Sequence, residues 1–151
     1  MLTGIHHVGI IVEDLEKSLD FYTNTLGAKL LYKAGAEDPK DVENEVNVPD
    51  AITKLAVIKM GPHTLELVEY VQPKIRPDVR SAAAIGTLHL AFEVDDVYSE
   101  VARLERQGVK FNAPPKVIEE GENKGWIWTY FNDPDGSQLE LVENRNLKVP
   151  L

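Results

Sequence analysis

An internal repeat is the feature that most constrains how this chain can fold. Residues 4–15, GIHHVGIIVEDL, align without gaps with residues 86–97, GTLHLAFEVDDV, and the pentapeptide LELVE at 65–69 recurs unchanged at 139–143. Each half of the chain therefore opens and closes with matching apolar segments in the same order. Such a repeat predicts two copies of one structural unit that pack against each other.

Each copy has the pattern of a βαβββ module. After the first strand of each half, apolar residues recur three or four positions apart and predict a helix that begins after an aspartate, Asp14 or Asp96. Each helix is expected to end at a glycine, Gly27 or Gly108. Two further strands fit between the helix and the LELVE strand of each half: at residues 28–32 and 53–60 in the first half, and at 110–111 with its neighbours and 126–131 in the second.

We predict an α+β fold built from two tandem modules. Module one covers residues 1–72, a linker with prolines and basic residues covers 73–84, and module two covers 85–146. Neither module is large enough to bury a sufficient core alone, so residues 1–151 are expected to form a single domain.

Composition and charge restrict the classes of partner and the cellular location that we expect for this protein. The formal net charge of -9 repels phosphate backbones and anionic lipid, which disfavours a nucleic acid or a membrane as partner. Because the chain has no cysteine, any metal must be bound by His, Asp or Glu. No basic targeting region precedes the first strand, and no apolar run approaches the ~18 residues of a membrane span. We expect a cytoplasmic protein that acts on a small molecule.

Strand alternation assigns the repeated polar residues to a common face. His7 and His89 occupy matching positions, and each points away from the apolar residues that must face the helix of its module. In the LELVE strands, Glu66 and Glu140 likewise point away from the leucines. If the leucines pack under the helices, both histidines and both glutamates share one concave surface. Two imidazoles and two carboxylates form a ligand set suited to a divalent metal ion.

Other titratable residues in these segments have structural interpretations. His6 is expected on the helix-facing side as a partly exposed or hydrogen-bonded core histidine and not as a metal ligand. Glu69 and Glu143 also repeat, but they follow Glu66 and Glu140 by three residues and so point to the opposite face, near strand ends. We expect them to be solvated surface groups.

An aromatic stripe marks a possible binding surface. Trp126, Trp128 and Tyr130 alternate along one face of a predicted strand. This pattern predicts either a core or subunit contact or the wall of a substrate pocket. In the second case, three cationic side chains could supply charge for a carboxylate- or phosphate-bearing substrate: Lys124, Arg76 and Arg80.

The order and duplication of these motifs resemble the vicinal oxygen chelate superfamily of glyoxalase, bleomycin resistance and extradiol dioxygenase proteins. The segments that carry the resemblance are HHVGIIVEDLEKSLDFY, LGAKLL, TLELVE, LHLAFEVDDV and DPDG before QLELVE. The ligand pattern is most similar to glyoxalase I and methylmalonyl-CoA epimerase. The resemblance implies a cupped mixed sheet with helices on its convex face, and a homodimer. It also implies one divalent ion per site (Zn, Ni, Co, Mn or Fe) on His7, Glu66, His89 and Glu140.

The resemblance further implies a reaction class. A divalent ion that binds two oxygens of a substrate lowers the barrier to removing a proton beside a carbonyl. This predicts a lyase, isomerase or epimerase of a small carbonyl compound or thioester, with Glu140 as the first choice for the catalytic base and Glu66 as the second. Two alternatives remain at this point. One is an Fe(II) ring-cleaving dioxygenase, and the other is a non-catalytic small-molecule binding or resistance protein.

Overall fold

The chain forms two compact units in the computed structural model, which describes residues 1–36, 46–76 and 81–144. The units meet in sequence between Asp78 and Val79, within the predicted linker 73–84. Each unit contains a helix and a four-stranded mixed sheet, so the predicted α+β class and the tandem modules are confirmed. The interpretation of both modules as a single domain stays a prediction.

Module one is a mixed sheet with a helix on one face. Its elements are β1 (Val8–Val12), α1 (Leu15–Asp20), β2 (Lys29–Ala36), β3 (Ile52–Met60) and β4 (His63–Gln72). Strand β1 runs parallel to β4, β3 pairs antiparallel with β4 and β2, and the order is β1-β4-β3-β2. Helix α1 packs against β3 and β4 and continues into a π-helical turn at Phe21–Thr25.

Module two repeats this topology. Its elements are β5 (Leu90–Glu93), α2 (Val97–Arg106), β6 (Lys116–Val117), β7 (Ile127–Asn132) and β8 (Gln138–Glu143). Strand β5 runs parallel to β8, and the order is β5-β8-β7-β6. Helix α2 packs against β7 and β8.

The predicted strand at 110–111 is wrong. Phe111 forms an isolated bridge to Phe131, and the second strand of module two is the short β6 at Lys116–Val117. Residues 110–111 are too short a run to carry an alternating pattern, which explains the error. The strand predicted at 28–32 is present but continues to Ala36.

The predicted helix ends are confirmed. The side chains of Asp14 and Asp96 accept hydrogen bonds from the backbone N–H groups of Lys17 and Ser99, as N-cap residues do. The glycines at 27 and 108 have φ values of 83° and 89°, which residues other than glycine rarely adopt.

The prediction that Glu69 and Glu143 are solvated surface groups is wrong. They point to the helix-facing side as predicted, but they are buried, at 9% and 6% exposure. The Leu15 N–H donates to Glu69 Oε2 and the Val97 N–H donates to Glu143 Oε2, each at 3.0 Å. Each carboxylate therefore satisfies a free backbone donor in the first turn of its module's helix and complements the positive end of the helix dipole.

Lys74 adds a charge to the Glu69 contact, with its ammonium 3.0 Å from Glu69 Oε1. Burial by itself would raise the pKa of Glu69, but the Leu15 N–H and the Lys74 ammonium outweigh it and hold that pKa below its ordinary value.

The buried faces of the two sheets follow the predicted alternation. In module one, Ile10, Val12, Leu65 and Leu67 are buried while Ile11 is exposed. In module two, Leu139 and Leu141 are buried together with alternate residues of β7: Ile127, Thr129 and Phe131. The repeated histidines and the first repeated glutamates are thereby left on the opposite faces. Among the described residues, no helix is long and apolar enough to cross a membrane.

Candidate active site

Module one contains the first of two His–Glu pairs, which we call half-sites. His7 lies one residue before β1, and the β1–β4 register places Gly9 opposite Glu66. Because alternate residues share a face of a sheet, His7 and Glu66 lie on the same side. His7 Nε2 and Glu66 Oε2 are 3.6 Å apart, and the two side chains are 43% and 27% exposed. Both groups are therefore accessible on the face opposite α1.

Module two contains the second half-site in the same register. His89 lies one residue before β5, and Ala91 is opposite Glu140. His89 Nε2 and Glu140 Oε2 are 3.1 Å apart, with side-chain exposures of 47% and 13%. The second pair is thus closer than the first, and its carboxylate is better shielded from water.

His6 is a neighbour of the first half-site. Its Nδ1 atom lies 2.9 Å from His7 Nδ1, and the two rings meet edge-on. His6 is exposed, so it is a hydrogen-bonded surface histidine and not a core residue. The contact leaves His7 Nε2 directed at Glu66 while Nδ1 is hydrogen-bonded, an arrangement that is common for metal-binding histidines.

Tyr130 supports the second half-site. It lies directly opposite Glu140 in the β7–β8 register, and its hydroxyl donates a hydrogen bond to the Glu140 carboxylate. Burial, reinforced by the charge of Glu140 and this hydrogen bond, raises the pKa of the Tyr130 hydroxyl. The Tyr130 ring also meets the His89 ring edge-on, with centroids 5.6 Å apart. In module one, the residue opposite Glu66 is Val57, which has no hydroxyl to donate.

A cavity of ≈ 750 Å³ opens beside the second half-site, and all of its lining residues belong to module two. Glu140 and the predicted aromatic stripe of Trp126, Trp128 and Tyr130 line it. The alternating residues on the other face of β7 are buried in the core. The structure therefore favours the pocket-wall interpretation of the stripe over a role in the core.

Among the described residues, the cations predicted to contact the substrate do not line this cavity. Lys124 lies in the adjoining turn, where its N–H donates to the Gly121 carbonyl, and it is not among the lining residues. Arg80 lies outside the described residues. Their predicted substrate contacts stay predictions.

The sequence-based interpretation missed four polar lining residues, namely Lys116, Glu119, Glu120 and Asn123. They lie on β6 and in the loop that follows it, where no apolar period assigns a face. The concentration of charge in the segment EEGENK at 119–124 was the available signal, but charged loops are common on protein surfaces.

The donor set suits a divalent ion, and each half-site contains two of the four predicted ligands. Within residues 1–36, 46–76 and 81–144, no three His, Asp or Glu side chains form a group that could hold a metal. Protein sites for zinc ordinarily use three or four such ligands. The exposed imidazoles and the partly exposed carboxylates leave each pair available for completion by further ligands.

Comparison with known proteins decides the family. Residues 4–141 match the Glyoxalase/Bleomycin resistance protein/Dioxygenase superfamily. The chain belongs to this superfamily. A 2-epi-5-epi-valiolone epimerase from an Actinomyces species is 35% identical over 143 residues, which cover 92% of this chain and 78% of that protein. A lactoylglutathione lyase from Neisseria meningitidis is 32% identical, with 93% of this chain and 90% of that protein covered.

A solved structure of an antibiotic resistance protein shares the fold. It is a mutant of the fosfomycin resistance protein FosX from Listeria monocytogenes, in complex with Mn(II) and 1S,2S-dihydroxypropylphosphonic acid. Its TM-score is 0.64 at 20% identity, and the alignment covers 97% of this chain and 96% of that chain. The family match over residues 4–141 confirms the resemblance inferred from the sequence at the level of the superfamily.

Proposed function

We propose that this protein is a divalent-metal-dependent enzyme that transfers a proton at a carbon next to a carbonyl group. The observation that carries the proposal is the His–Glu pair, which recurs in both modules at the same strand register. The names of two relatives, an epimerase and a lyase, accord with this class of reaction. Many other βαβββ sheets could form without these four polar residues, so their repetition favours a chemical role over a structural one.

In this proposal, four residues hold one ion: His7, Glu66, His89 and Glu140. We further propose a homodimer with a cytoplasmic location. When bound, the ion supplies positive charge next to the substrate carbonyl, for which Zn, Ni, Co, Mn or Fe is suited. The complex of FosX with Mn(II) supports a divalent ion in this fold.

Glu140 is the proposed catalytic base. Its carboxylate is shielded, lies beside the cavity and accepts a hydrogen bond from Tyr130. A base has to be aimed at the proton that it removes, and the phenol restricts the orientation of the carboxylate. Tyr130 is therefore a positioning residue in this mechanism.

Glu66 is the proposed second acid–base group. An epimerisation takes a proton from one face of a carbon and returns a proton to the other face, so it requires two groups. Glu66 is more exposed than Glu140, and the residue opposite it, Val57, cannot hydrogen-bond to it. A carboxylate that is less restrained is suited to exchanging its proton with water between turnovers.

The aromatic wall has a separate task in the proposed reaction. Trp126 and Trp128 lie beside Tyr130 on the cavity side of the sheet, and the rings of Trp128 and Tyr130 are 5.1 Å apart. Their apolar surface would displace water from one side of the substrate. Exclusion of water strengthens the electrostatic interactions that stabilise a developing negative charge.

The proposal is tested by metal analysis followed by proton exchange. Protein purified without added metal is expected to contain about one divalent ion per pair of half-sites, and less in Glu140→Gln. Metal-loaded protein in D₂O is then incubated with 2-epi-5-epi-valiolone and with the glutathione hemithioacetal of methylglyoxal, and NMR follows the proton next to the carbonyl. Exchange that requires Glu140 supports the proposal, and Glu122→Gln serves as the control.

Three results would contradict the proposed function. Negligible metal content that does not rise on addition of metal favours a binding protein. Iron with oxygen consumption favours a ring-cleaving dioxygenase. Exchange that is unchanged in Glu140→Gln removes that residue from the role of base.

A further inference from the structure

We infer that the cavity of module two takes a neutral, polyhydroxylated cyclic ketone, in preference to an anionic thioester or glutathione conjugate. The inference rests on the proposed function, since it assigns a substrate class to the cavity that Glu140 lines. It is carried by the charge, the aromatic surface and the polar groups of the cavity itself.

The charge of the cavity does not suit an anion. Apart from Glu140, its ionisable lining side chains in the acidic and basic classes are Lys116, Glu119 and Glu120, one cation against two carboxylates. A glutathione conjugate carries excess carboxylate charge, and a coenzyme A thioester carries several phosphate charges. Proteins recognise such groups with Arg or Lys clusters, and like charges at a binding surface oppose binding.

Two of the three cations predicted to favour an anionic substrate, Arg76 and Lys124, do not line the cavity. Arg76 lies in the linker, within the compact unit that contains module one, and forms an ion pair with Glu13. Lys124 does not line the cavity, and Arg80 lies outside the described residues.

The aromatic wall offers a face for the C–H surface of a saturated ring. Trp126, Trp128 and Tyr130 follow one another at alternate positions and are all half-buried. A cyclohexane or pyranose ring has an apolar face that buries well against such rings, while its hydroxyls stay at the edge.

The polar groups around this wall distinguish a polyol from an aromatic ligand. The side chains of Lys116, Glu119, Glu120 and Asn123 have neither a hydrogen bond nor an ion pair within the described part of the chain. A catechol would cover some of these groups without enough hydroxyls to pair with them, and unpaired buried polar groups are unfavourable. A ring with several hydroxyls both fills the aromatic wall and provides partners for carboxylate, amide and ammonium groups.

The experiment uses intrinsic fluorescence, because both tryptophans of the chain, Trp126 and Trp128, line the cavity. Metal-loaded protein is titrated with scyllo-inosose, a neutral polyhydroxylated cyclohexanone, and separately with S-lactoylglutathione, acetyl-CoA and catechol. Metal content is measured on the same samples. We expect saturable quenching by the inosose at concentrations about tenfold lower than for each of the other three probes.

Paired variants distinguish direct contacts of Glu119 and Glu120 with the ligand from general effects of charge. Glu119→Gln and Glu120→Gln each are expected to weaken inosose binding by about tenfold, the loss of a hydrogen bond to a charged group. Glu122→Gln removes the same charge from the same segment but from a residue that does not line the cavity, and it is expected to bind as the unaltered protein does.

The outcomes separate this inference from the proposed function. Full metal content with tighter binding of S-lactoylglutathione or acetyl-CoA overturns the inference and leaves the proposed function standing. Tighter binding of catechol overturns it in favour of an aromatic ligand. An equal effect of all three glutamine variants also overturns it, because Glu119 and Glu120 would then affect binding through net charge alone. Absence of metal, with inosose still bound, contradicts the proposed function and supports the substrate class.

Discussion

The two half-sites have the same register and different surroundings. In module one, His7 Nε2 and Glu66 Oε2 are 3.6 Å apart, both side chains are more than a quarter exposed, and Val57 lies opposite Glu66. In module two, the corresponding pair is 3.1 Å apart, its carboxylate is hydrogen-bonded to Tyr130, and an aromatic cavity adjoins it. The repeat therefore fixes the positions of the proposed ligands, while the neighbouring strand determines which side chain lies opposite each glutamate. Module one offers a looser carboxylate and module two an oriented one.

The largest expected effect comes from removing one proposed metal ligand from either module. His7→Ala and His89→Ala should each lower metal affinity by more than about a hundredfold. Even the loss of a residue that only hydrogen-bonds to a ligand lowers metal affinity by about 10–100-fold. Calorimetric titration with Mn²⁺ and Zn²⁺ measures the affinities. The control is His63→Ala, an exposed histidine at the start of β4. Retention of tight binding by one of the two ligand variants would mean that a single half-site suffices.

Mixing the two variants shows which half-sites cooperate. If a site is built from module one of one chain and module two of its partner, equimolar His7→Ala and His89→Ala proteins regain one intact site in each mixed dimer. If both modules of a site come from one chain, every chain in the mixture lacks one ligand and no tight site returns. Either result follows from the proposed four-ligand set, and it assigns the chain that supplies each half.

The next effect concerns the feature that distinguishes module two. Tyr130→Phe keeps the ring against His89 but removes the hydroxyl that holds Glu140, so metal affinity should fall by about tenfold. The matched change Tyr98→Phe alters an exposed tyrosine of α2 and should leave affinity unchanged. Because a misfolded sheet would also lose metal, the thermal midpoint of the metal-free variant is measured alongside. Unaltered affinity in Tyr130→Phe would show that the phenol does not position the carboxylate.

A third prediction uses the two glutamates of each LELVE strand, which point to opposite faces. Glu69→Gln and Glu143→Gln should lower the free energy of unfolding by about 1 kcal/mol each, because a charge-assisted hydrogen bond to a helix N–H becomes a neutral one. Metal affinity should not change. Glu66→Gln and Glu140→Gln should do the reverse, with unfolding of the metal-free protein altered by less than about 0.5 kcal/mol.

Urea unfolding and calorimetry on the four variants measure both properties. This comparison also checks the register of the proposed ligands. If Glu69→Gln or Glu143→Gln abolished metal binding, the glutamate ligands would lie on the opposite face of the LELVE strands from the one proposed.

The sequence was sufficient for the repeat, the helix ends and the face of each repeated residue, because these follow from local periodicity and from backbone requirements at caps. It was insufficient where tertiary contacts decide. Glu69 and Glu143 were expected at the surface because carboxylates near strand ends are commonly solvated, and only the arrival of a helix N-terminus over the strand makes a buried carboxylate favourable. Likewise, Tyr130 was identified as part of an aromatic stripe, but its bond to Glu140 depends on the β7–β8 register, which one strand's sequence does not specify.

The smallest expected effect is the acid dependence of the Glu69 contact. The pKa of Glu69 is lowered in the folded protein, so its contribution to stability is fully present above the ordinary value of 4.5 and is lost as the pH falls through the folded pKa. At pH 6 the unaltered protein should therefore be more stable than Glu69→Gln, and the difference should shrink progressively as the pH is lowered from 5 toward 3. Thermal midpoints of the metal-free proteins measure it, with Glu66→Gln as the control for loss of one negative charge. A difference that stayed constant over this range would mean that Glu69 is held by its shape and hydrogen bond alone. Its charge, and the pairing with Lys74, would then contribute nothing to the anchoring of α1.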